Sequence, residues 1–468
     1  MIPLPQRVVL TGESCEFAPS RVTSRIVSDG IGLGDEGYRL RAGSSGILIE
    51  ALTEAGLSYG HRTLQQVLAA RSDRPDLAGP VAASGGGRPL VLQGLLIEDR
   101  PRFSWRGLHL DVARHFFPAA RVCEAIEWCA EHKLNRLHWH LTDDQGWRLP
   151  VPGRPRLAEI SSRRKEADGS THAGLYTAEE IREVIRHAAT RNVTVVPEID
   201  LPGHVRAALA AYPELSCSGE VLPVPATWGI FEDVLCAGSD DALDFVTEVL
   251  SAVASLFPGK YIHIGGDEVL KNRWAACPKC RARMEREGLE TPEDLQSWFV
   301  RRVARMVGDL GRTPVGWDEI LEGGAPPGAV VMSWRGIEGG IAAARGGHHV
   351  VMCPTGHCYL DSYQGPRDAA PPAFPRDVDL EAAYAFEPAP SSIENPDLVL
   401  GGQACVWTER IPDWEHLGTM TFPRLCAIAE ALWTDPRRRD YPDFLLRMRL
   451  HERRLLRAGI KPYPLPAS

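Results

Sequence analysis

The sequence predicts a (β/α)8 barrel, a TIM barrel, preceded by a small N-terminal α/β domain. The chain has 468 residues, more than one small core accommodates, so a large domain with a smaller one is expected. After Pro101, eight short apolar segments alternate with amphipathic helical segments, as in a barrel of parallel strands. No glycine-rich phosphate-binding loop follows the first of these segments, which disfavours an open, doubly wound sheet.

Residues 1–100 make up the predicted N-terminal domain. Residues 37–41 and 46–50 alternate in polarity like strands, and residues 57–70 have helical spacing. The run at residues 84–89, Ser-Gly-Gly-Gly-Arg-Pro, is typical of a turn or short linker. We therefore expect a small α/β accessory domain that ends near residue 100.

Residues 101–468 make up the predicted catalytic barrel with a C-terminal helix. Helices are expected between most strands, and Thr177 with Glu180 forms a capping-box pattern before the one at residues 178–190. Another helix is expected at residues 121–132, and the C-terminal helix at residues 444–458. The eight predicted strands cover residues 107–112, 136–141, 193–199, 261–265, 313–317, 329–334, 349–353 and 399–406.

Composition limits the classes of partner. The net charge of -9 gives no reason to expect nucleic acid or an anionic membrane surface. No apolar run reaches the roughly 20 residues that a membrane span needs. The N-terminus lacks the charged and apolar segments of a secretion signal, so we expect a cytoplasmic protein, or a secreted one if a leader has been removed. The oligomeric state stays open.

The cysteines predict neither a disulfide framework nor a metal site. Eleven cysteines, odd in number and scattered, fit a reducing compartment. Cys277 and Cys280 form a C-x-x-C pair, which suits zinc or redox chemistry in some proteins. A structural zinc site needs a second pair of ligands, and none follows nearby. We therefore expect two loop thiols, no metal and no other cofactor.

Carboxylates and tryptophans recur where the predicted strands end. In a barrel, the carboxyl ends of the strands and the loops after them carry the active site. A structural core does not explain such a pattern, so we expect a site there. In chain order these ends carry Asp111, Arg114, Asp143, Asp200, His204, Asp267, Glu268, Trp317, Asp318, Glu319, Trp334, Trp407 and Glu409.

The adjacent pair Asp267 and Glu268 suggests acid catalysis on a sugar. Sugars bind flat aromatic surfaces, which Trp317, Trp334 and Trp407 could provide, although any one of them could simply fill the barrel top. An ordinary retaining glycosidase places two carboxylates about 5 Å apart across the scissile bond. Neighbours at a strand end point in different directions. We therefore expect Glu268 to protonate the leaving oxygen while Asp267 orients a nucleophile carried by the substrate, such as an N-acetyl group at C2.

At these residues the chain resembles the family 20 glycoside hydrolases, the β-N-acetylhexosaminidases. The matching motifs keep the family's order over about residues 97–435, and His263-Ile-Gly-Gly-Asp-Glu268 is the most diagnostic. The others include Trp105-Arg-Gly, Leu110-Asp-Val-Ala-Arg-His-Phe, His138-Trp-His-Leu-Thr-Asp-Asp, Pro197-Glu-Ile-Asp-Leu-Pro-Gly-His204, Val315-Gly-Trp-Asp-Glu, Tyr359-Leu-Asp361 and Val406-Trp-Thr-Glu409.

The resemblance implies a retaining exo-enzyme that removes terminal, non-reducing β-linked N-acetylglucosamine or N-acetylgalactosamine through an oxazolinium intermediate. It implies Glu268 as general acid and base, with Asp267 on the acetamido N–H and Tyr359 on the acetamido oxygen. Chitobiose, a cell-wall fragment and a glycan all stay open as the natural substrate. The other implied positions are Trp317, Trp334 and Trp407 around the acetamido methyl and sugar face, Arg114, Asp361 and Glu409 at its O3, O4 and O6 side, and Asp143, Asp200 and His204 behind Glu268.

Two other function classes stay open at this stage. His138 and His140 share one face of a strand, with Asp143 and Asp144 close behind, which suggests a metal-dependent hydrolase whose third ligand cannot be placed. A sugar-binding protein would keep the aromatic surfaces without needing a buried acid. The long loop at residues 365–396 is expected to be a lid, a wall of the substrate site or plain surface packing.

Overall fold

The computed structural model describes residues 1–28, 32–72, 90–368 and 370–466. The predicted turn at residues 84–89 lies outside them. Eight parallel strands close into a barrel with helices around it, and a separate sheet precedes the barrel in the chain. The predicted fold class is therefore confirmed.

A mixed five-stranded sheet forms the N-terminal domain. Its order is β1-β5-β3-β4-β2, antiparallel except for the parallel pair of β2 and β4. Helix α1 covers one face, where Leu57 and Leu64 pack into one buried cluster with Leu40 and Ile49 of the sheet. The elements are β1 Arg7–Phe17, β2 Val22–Ile26, β3 Tyr38–Gly43, β4 Gly46–Ala51, α1 Glu54–Ser72 and β5 Leu90–Asp99.

The barrel consists of β6, β7, β12, β13, β14, β15, β16 and β19, each paired in parallel with the next and the last with the first. Strands buried on both faces carry apolar runs rather than alternation, which is why they can be recognised in the sequence. From β6 onward the strands are β6 Trp105–Asp111, β7 Arg136–His140, β8 Thr142–Asp143, β9 Gly146–Trp147, β10 Arg163–Lys165, β11 Thr171–Ala173, β12 Thr194–Glu198, β13 Tyr261–His263, β14 Thr313–Trp317, β15 Val330–Ser333, β16 Val350–Met352, β17 Ser362–Tyr363, β18 Phe374–Asp377 and β19 Val399–Val406.

Helices fill the connections and cover the barrel. The capping box of Thr177 and Glu180 is present at the start of α3. After α1 the helices are α2 Ala119–Glu131, α3 Ala178–Ala189, α4 Arg206–Ala211, α5 Asp240–Leu256, α6 Asn272–Ala276, α7 Pro278–Glu287, α8 Pro292–Asp309, α9 Glu338–Arg345, α10 Thr355–Cys358, α11 Leu380–Tyr384, α12 Trp414–Thr421, α13 Arg424–Trp433 and α14 Tyr441–Arg457. Within the described ranges, no helix combines the length and apolarity needed to cross a bilayer.

The two domains share a buried polar junction. Trp433, at the end of α13, is fully buried within the apolar cluster of the N-terminal domain. Its indole N–H donates to Asp99 Oδ1 at 2.8 Å, and Lys133 Nζ donates to Asp99 Oδ2 at 2.8 Å. Arg106 of β6 donates to both carboxylate oxygens of Glu36. The N-terminal domain is thus tied to the barrel through charge-assisted hydrogen bonds that are buried at Asp99 and partly buried at Glu36.

Candidate active site

A pocket of about 420 Å³ opens at the carboxyl ends of the barrel strands. All nine residues predicted for catalysis or substrate binding line it, and His204 lines it as well. Asp143 and Asp200 lie behind its wall, both buried. The lining residues are Arg114, His204, Trp228, Gly229, Ile230, Asp267, Glu268, Trp317, Trp334, Tyr359, Asp361, Phe374, Arg376, Trp407, Glu409 and Arg410.

A larger cleft of about 960 Å³ lies between the domains. It is lined by residues that precede β6, such as Phe103 and Ser104, and so lies at the amino end of the first barrel strand. Catalysis in this fold takes place at the opposite face. The smaller pocket is therefore the candidate active site.

Two glycines position the acidic pair after β13. Gly265 and Gly266 have φ values of 66° and 101°, a region that favours glycine. A Cβ at Gly265 would overlap the carboxylate of Asp200, and one at Gly266 would lie 2.7 Å from Ile320 Cγ2. Glu268 itself has a φ of 49°, which is strained for a side chain of its size. This backbone turns Asp267 and Glu268 into the pocket.

His204 links the acidic pair to two buried aspartates. Its Nε2 lies 3.5 Å from Glu268 Oε2 and 3.7 Å from Asp267 Oδ2, while its Nδ1 lies 3.1 Å from Asp144 Oδ2 and 3.3 Å from Asp143 Oδ1. Burial alone would lower the pKa of His204, but the aspartates outweigh it and raise the pKa well above its ordinary value. His204 is therefore a cation that faces both pocket carboxylates.

Asp200 and Asp267 are two buried carboxyl groups that influence each other's charge. Asp200 Oδ2 and Asp267 Oδ1 are buried, and no donor among the described residues reaches either atom. The two carboxyl groups lie close enough for each to affect the pKa of the other. Burial and the charge of Asp267 raise the pKa of Asp200 well above its ordinary value. Burial also raises the pKa of Asp267, but the charge of His204 opposes that shift, so Asp200 is the more readily protonated of the two.

Glu198 occupies the barrel interior directly beneath the pocket. Its Oε2 shares a hydrogen bond with His140 Nδ1 at 2.5 Å, while His138 Nε2 lies 3.0 Å from Oε2 and His263 Nδ1 lies 2.9 Å from Oε1. The indole N–H of Trp317 donates to Glu198 Oε1 at 2.9 Å. Burial would raise the pKa of Glu198, but the histidines outweigh it and hold the pKa well below its usual range. A buried carboxylate thus fixes the tryptophan at the floor of the pocket.

Two pairs of aromatic side chains line the pocket. Trp334 stacks with Tyr359 at a centroid distance of 6.1 Å, and Trp317 lies 5.9 Å from Trp407. The indole N–H of Trp334 donates to Glu319 Oε2 at 3.0 Å. Burial is the main cause that raises the pKa of Glu319 to about 9, and the charge of Asp267 adds to it. The carboxyl group of Glu319 is therefore neutral at pH 7. These four rings present apolar faces of the kind that suit a methyl group and one sugar ring.

The far end of the pocket carries charged groups. Arg114 donates to Asp143 Oδ2 at 2.9 Å, and its guanidinium lies 5.0 Å above the ring of Trp407. Asp361 Oδ2 accepts from Arg376 at 2.9 Å, while Asp361 Oδ1 is buried without a hydrogen-bond partner among the described residues. Burial raises the pKa of Glu409 to about 7, although Arg114 opposes the shift. These donors and acceptors suit sugar hydroxyl groups.

Sequence reasoning missed six residues of the pocket lining, all in connections that follow barrel strands. Trp228, Gly229 and Ile230 come from the loop after β12, where Trp228 lies 5.2 Å from the guanidinium of Arg164. Phe374 and Arg376 belong to β18, within the loop at residues 365–396, and Arg410 follows Glu409. The sequence left a lid, a wall of the substrate site and plain surface packing open for that loop. In the structure, Phe374 and Arg376 make it part of the pocket wall. The only feature of the sequence that could have indicated Trp228 as a pocket residue is that it is a single tryptophan within a loop.

Comparison with known proteins agrees with this geometry. The family model for glycosyl hydrolase family 20, catalytic domain, matches residues 103–436, and that for domain 2 of the same family matches residues 2–99. A beta-hexosaminidase of Porphyromonas gingivalis is 42% identical over 90% of this chain and 54% of its own length, so the chain spans about half of that relative. A beta-hexosaminidase of Akkermansia muciniphila is 34% identical over 98% of this chain and 90% of its own.

A solved structure is similar over nearly the whole chain. It is that of a family 20 exo-β-N-acetylglucosaminidase from Vibrio harveyi in complex with N-acetylglucosamine. Its TM-score is 0.87 at 30% identity, over 99% of this chain and 78% of that chain.

Proposed function

Because the chain belongs to glycosyl hydrolase family 20 and is therefore a glycoside hydrolase, we propose that it is a retaining exo-β-N-acetylhexosaminidase whose substrate supplies the nucleophile. The observation that carries the proposal is the placement of Asp267. Asp200 behind it is the more readily protonated of the two, and Asp267 lies beside Glu268 in a pocket lined by aromatic side chains. A carboxylate at this position would stabilise a cationic intermediate that forms next to it.

The first step breaks the glycosidic bond. Glu268 donates its proton to the leaving oxygen, while the acetamido carbonyl oxygen attacks C1 and forms an oxazolinium ring. Asp267 accepts the acetamido N–H and balances the positive charge of the ring. The Tyr359 hydroxyl holds the acetamido oxygen in line with C1, and Trp317, Trp334 and Trp407 enclose its methyl group.

The second step returns the enzyme to its starting state. A water molecule attacks C1 from the face that the leaving group has vacated, and Glu268 takes its proton. The C1–oxygen bond of the ring breaks, and the acetamido group is restored. Two inversions at C1 give a product of retained β configuration.

The charged end of the pocket supports cleavage at a chain end only. We assign Arg114, Asp361 and Glu409, which line this end, to the hydroxyl groups at O3, O4 and O6 of one sugar, so that a further residue attached there would lose these contacts. The partner is therefore an oligosaccharide with a terminal, non-reducing N-acetylhexosamine. We further propose residues 1–100 as a separate accessory domain and Asp143 and His204 as positioning residues for Glu268.

The two rival classes are less well supported. His140 already uses both ring nitrogens, toward Glu198 Oε2 at 2.5 Å and Asp143 Oδ2 at 2.7 Å, so it has no lone pair available for a metal in the pocket. A sugar-binding protein would have no use for a buried carboxylate kept charged beside an acid.

The decisive experiment compares two chromogenic substrates. We expect release of nitrophenol from the aryl β-N-acetylglucosaminide and none from the matching β-glucoside, because the glucoside lacks the nucleophile. An NMR time course should show the β anomer of the product first. Equal turnover of both substrates would contradict the assisted mechanism, and turnover of neither would favour a sugar-binding protein.

A further inference from the structure

Four cysteines converge beside the active site. Cys217 and Cys236 lie on the connection between β12 and α5, and Cys277 and Cys280 lie at the amino end of α7. Their four sulfur atoms all lie within 4.8 Å of one another. The C-x-x-C pair therefore has a second pair of cysteines, which precedes it in the chain. The expectation of two loop thiols without a second pair of ligands was wrong, because that pair comes earlier in the chain and is distant in sequence.

The spacing of the sulfur atoms matches a tetrahedron around one ion. Cys236 Sγ lies 3.7 Å from Cys280 Sγ and 3.8 Å from Cys277 Sγ, and Cys217 Sγ lies 3.8 Å from Cys280 Sγ. Four sulfurs at about 2.3 Å from a central zinc ion would be about 3.8 Å apart. A disulfide brings its sulfurs to about 2.0 Å, and all four cysteines are free thiols here.

The surroundings of the sulfur atoms suit thiolates. Cys236 and Cys280 are fully buried, and Cys277 is 6% exposed. Cys277 caps α7 and Cys280 lies in its first turn, where the helix dipole favours negative charge. Gly238, two residues after Cys236, packs against the backbone of Lys279 and Cys280. A Cβ at Gly238 would overlap the backbone of Lys279, so a glycine is required for this approach.

We propose that Cys217, Cys236, Cys277 and Cys280 hold a structural zinc ion. Four thiolates close the coordination sphere, so the ion has no open position for substrate or water. Its binding displaces the thiol protons and involves no redox step. A tetrahedral set of four sulfurs also suits a single iron ion, but a zinc ion needs no redox partner and is the usual occupant of such structural sites.

The ion would tie together two loops of the active site. The first loop runs from Cys217 to Cys236 and carries Trp228, Gly229 and Ile230 of the pocket wall. The second runs from the acidic pair to Cys277. Loss of the ion should therefore loosen the wall around Trp228 while leaving the barrel strands in place.

The test begins with the metal content of the whole wild-type protein, expressed in zinc-replete medium and purified without chelators. Mass spectrometry of the metals should find about one zinc ion per chain. Cys217→Ser and Cys280→Ser should lose it or release it to a chelator that the wild type resists. Cys123→Ser is the matched control, because Cys123 is a half-buried free thiol outside the cluster, and it should keep the ion.

A second measurement, made on the wild type, tests the proposal even if the cysteine variants fail to fold. Zinc-edge X-ray absorption of the wild type should show four sulfur neighbours at about 2.3 Å. Chelation should raise the number of reactive thiols and speed proteolysis between Cys217 and Cys236. A wild type without zinc, a denatured mass lowered by disulfide formation, iron in place of zinc, or unchanged zinc affinity in Cys280→Ser would each overturn the proposal.

Discussion

Replacing Asp267 with asparagine separates the roles of the two neighbouring carboxyl groups. The two side chains have nearly the same size, so the pocket keeps its shape while one negative charge is lost. Asp267 is only 8% exposed, and its Oδ2 lies 3.7 Å from His204 Nε2. In the variant, the cationic His204 would face the intermediate without the charge that balances it.

The size of the effect follows from the burial of the site. Two unit charges 4 Å apart interact by about 4 kcal/mol at the effective dielectric constant of 20 that describes most protein sites. The asparagine carbonyl can still accept the acetamido N–H, so the loss is confined to the charge. We expect a rise in the activation free energy of about 3–4 kcal/mol, which lowers kcat by about 10²–10³-fold.

The assay measures kcat and KM on aryl glycosides whose acetamido groups carry increasing numbers of fluorine atoms. Fluorination makes the carbonyl oxygen a poorer nucleophile, so the wild-type rate should fall steeply along the series. Asp244→Asn, on the exposed face of α5, is the matched control and should behave like the wild type. A kcat for Asp267→Asn close to the wild-type value, in a folded variant, would refute the role assigned to this carboxylate.

Three further predictions concern the other carboxyl groups. Glu268→Gln should lower kcat by about 10²–10⁴-fold on substrates with poor leaving groups and much less on dinitrophenyl glycosides, as a series of leaving groups would reveal. Asp200→Asn should keep near-wild-type activity because its amide can donate to Asp267 as the neutral acid does, whereas Asp200→Ala should lose about 10-fold or more in kcat/KM. Because the pKa of Glu409 is about 7, protonation should lower kcat/KM as the pH falls through 7, and Glu409→Gln should remove that limb from the pH profile.

The barrel was predictable because its strands are buried on both faces. The predicted strand at residues 313–317 coincides with β14, and that at residues 399–406 coincides with β19. The family assignment is also confirmed by the family models. It was predictable because the diagnostic motifs lie at the strand ends, where the fold restricts which residues fit. At Gly265, for example, the carboxylate of Asp200 leaves no room for a Cβ.

Contacts between distant segments were beyond sequence reasoning. In the sequence, nothing distinguishes Glu198 from the other residues of its predicted strand. Only the closed barrel brings His138, His140 and His263 around it. The cysteine cluster was missed for the same reason. Cys236 lies 41 residues before Cys277, and a search for ligands after the C-x-x-C pair could not find it.

Trp433 belongs to the barrel by its position in the chain and to the N-terminal domain by its packing. A truncated chain that starts at the barrel would leave this indole, Lys133 and Arg106 in water, with their partners Asp99 and Glu36 removed. The N-terminal domain is therefore not an interchangeable module. An exchange of this domain between relatives would succeed only if the residues that contact it on the barrel were exchanged with it.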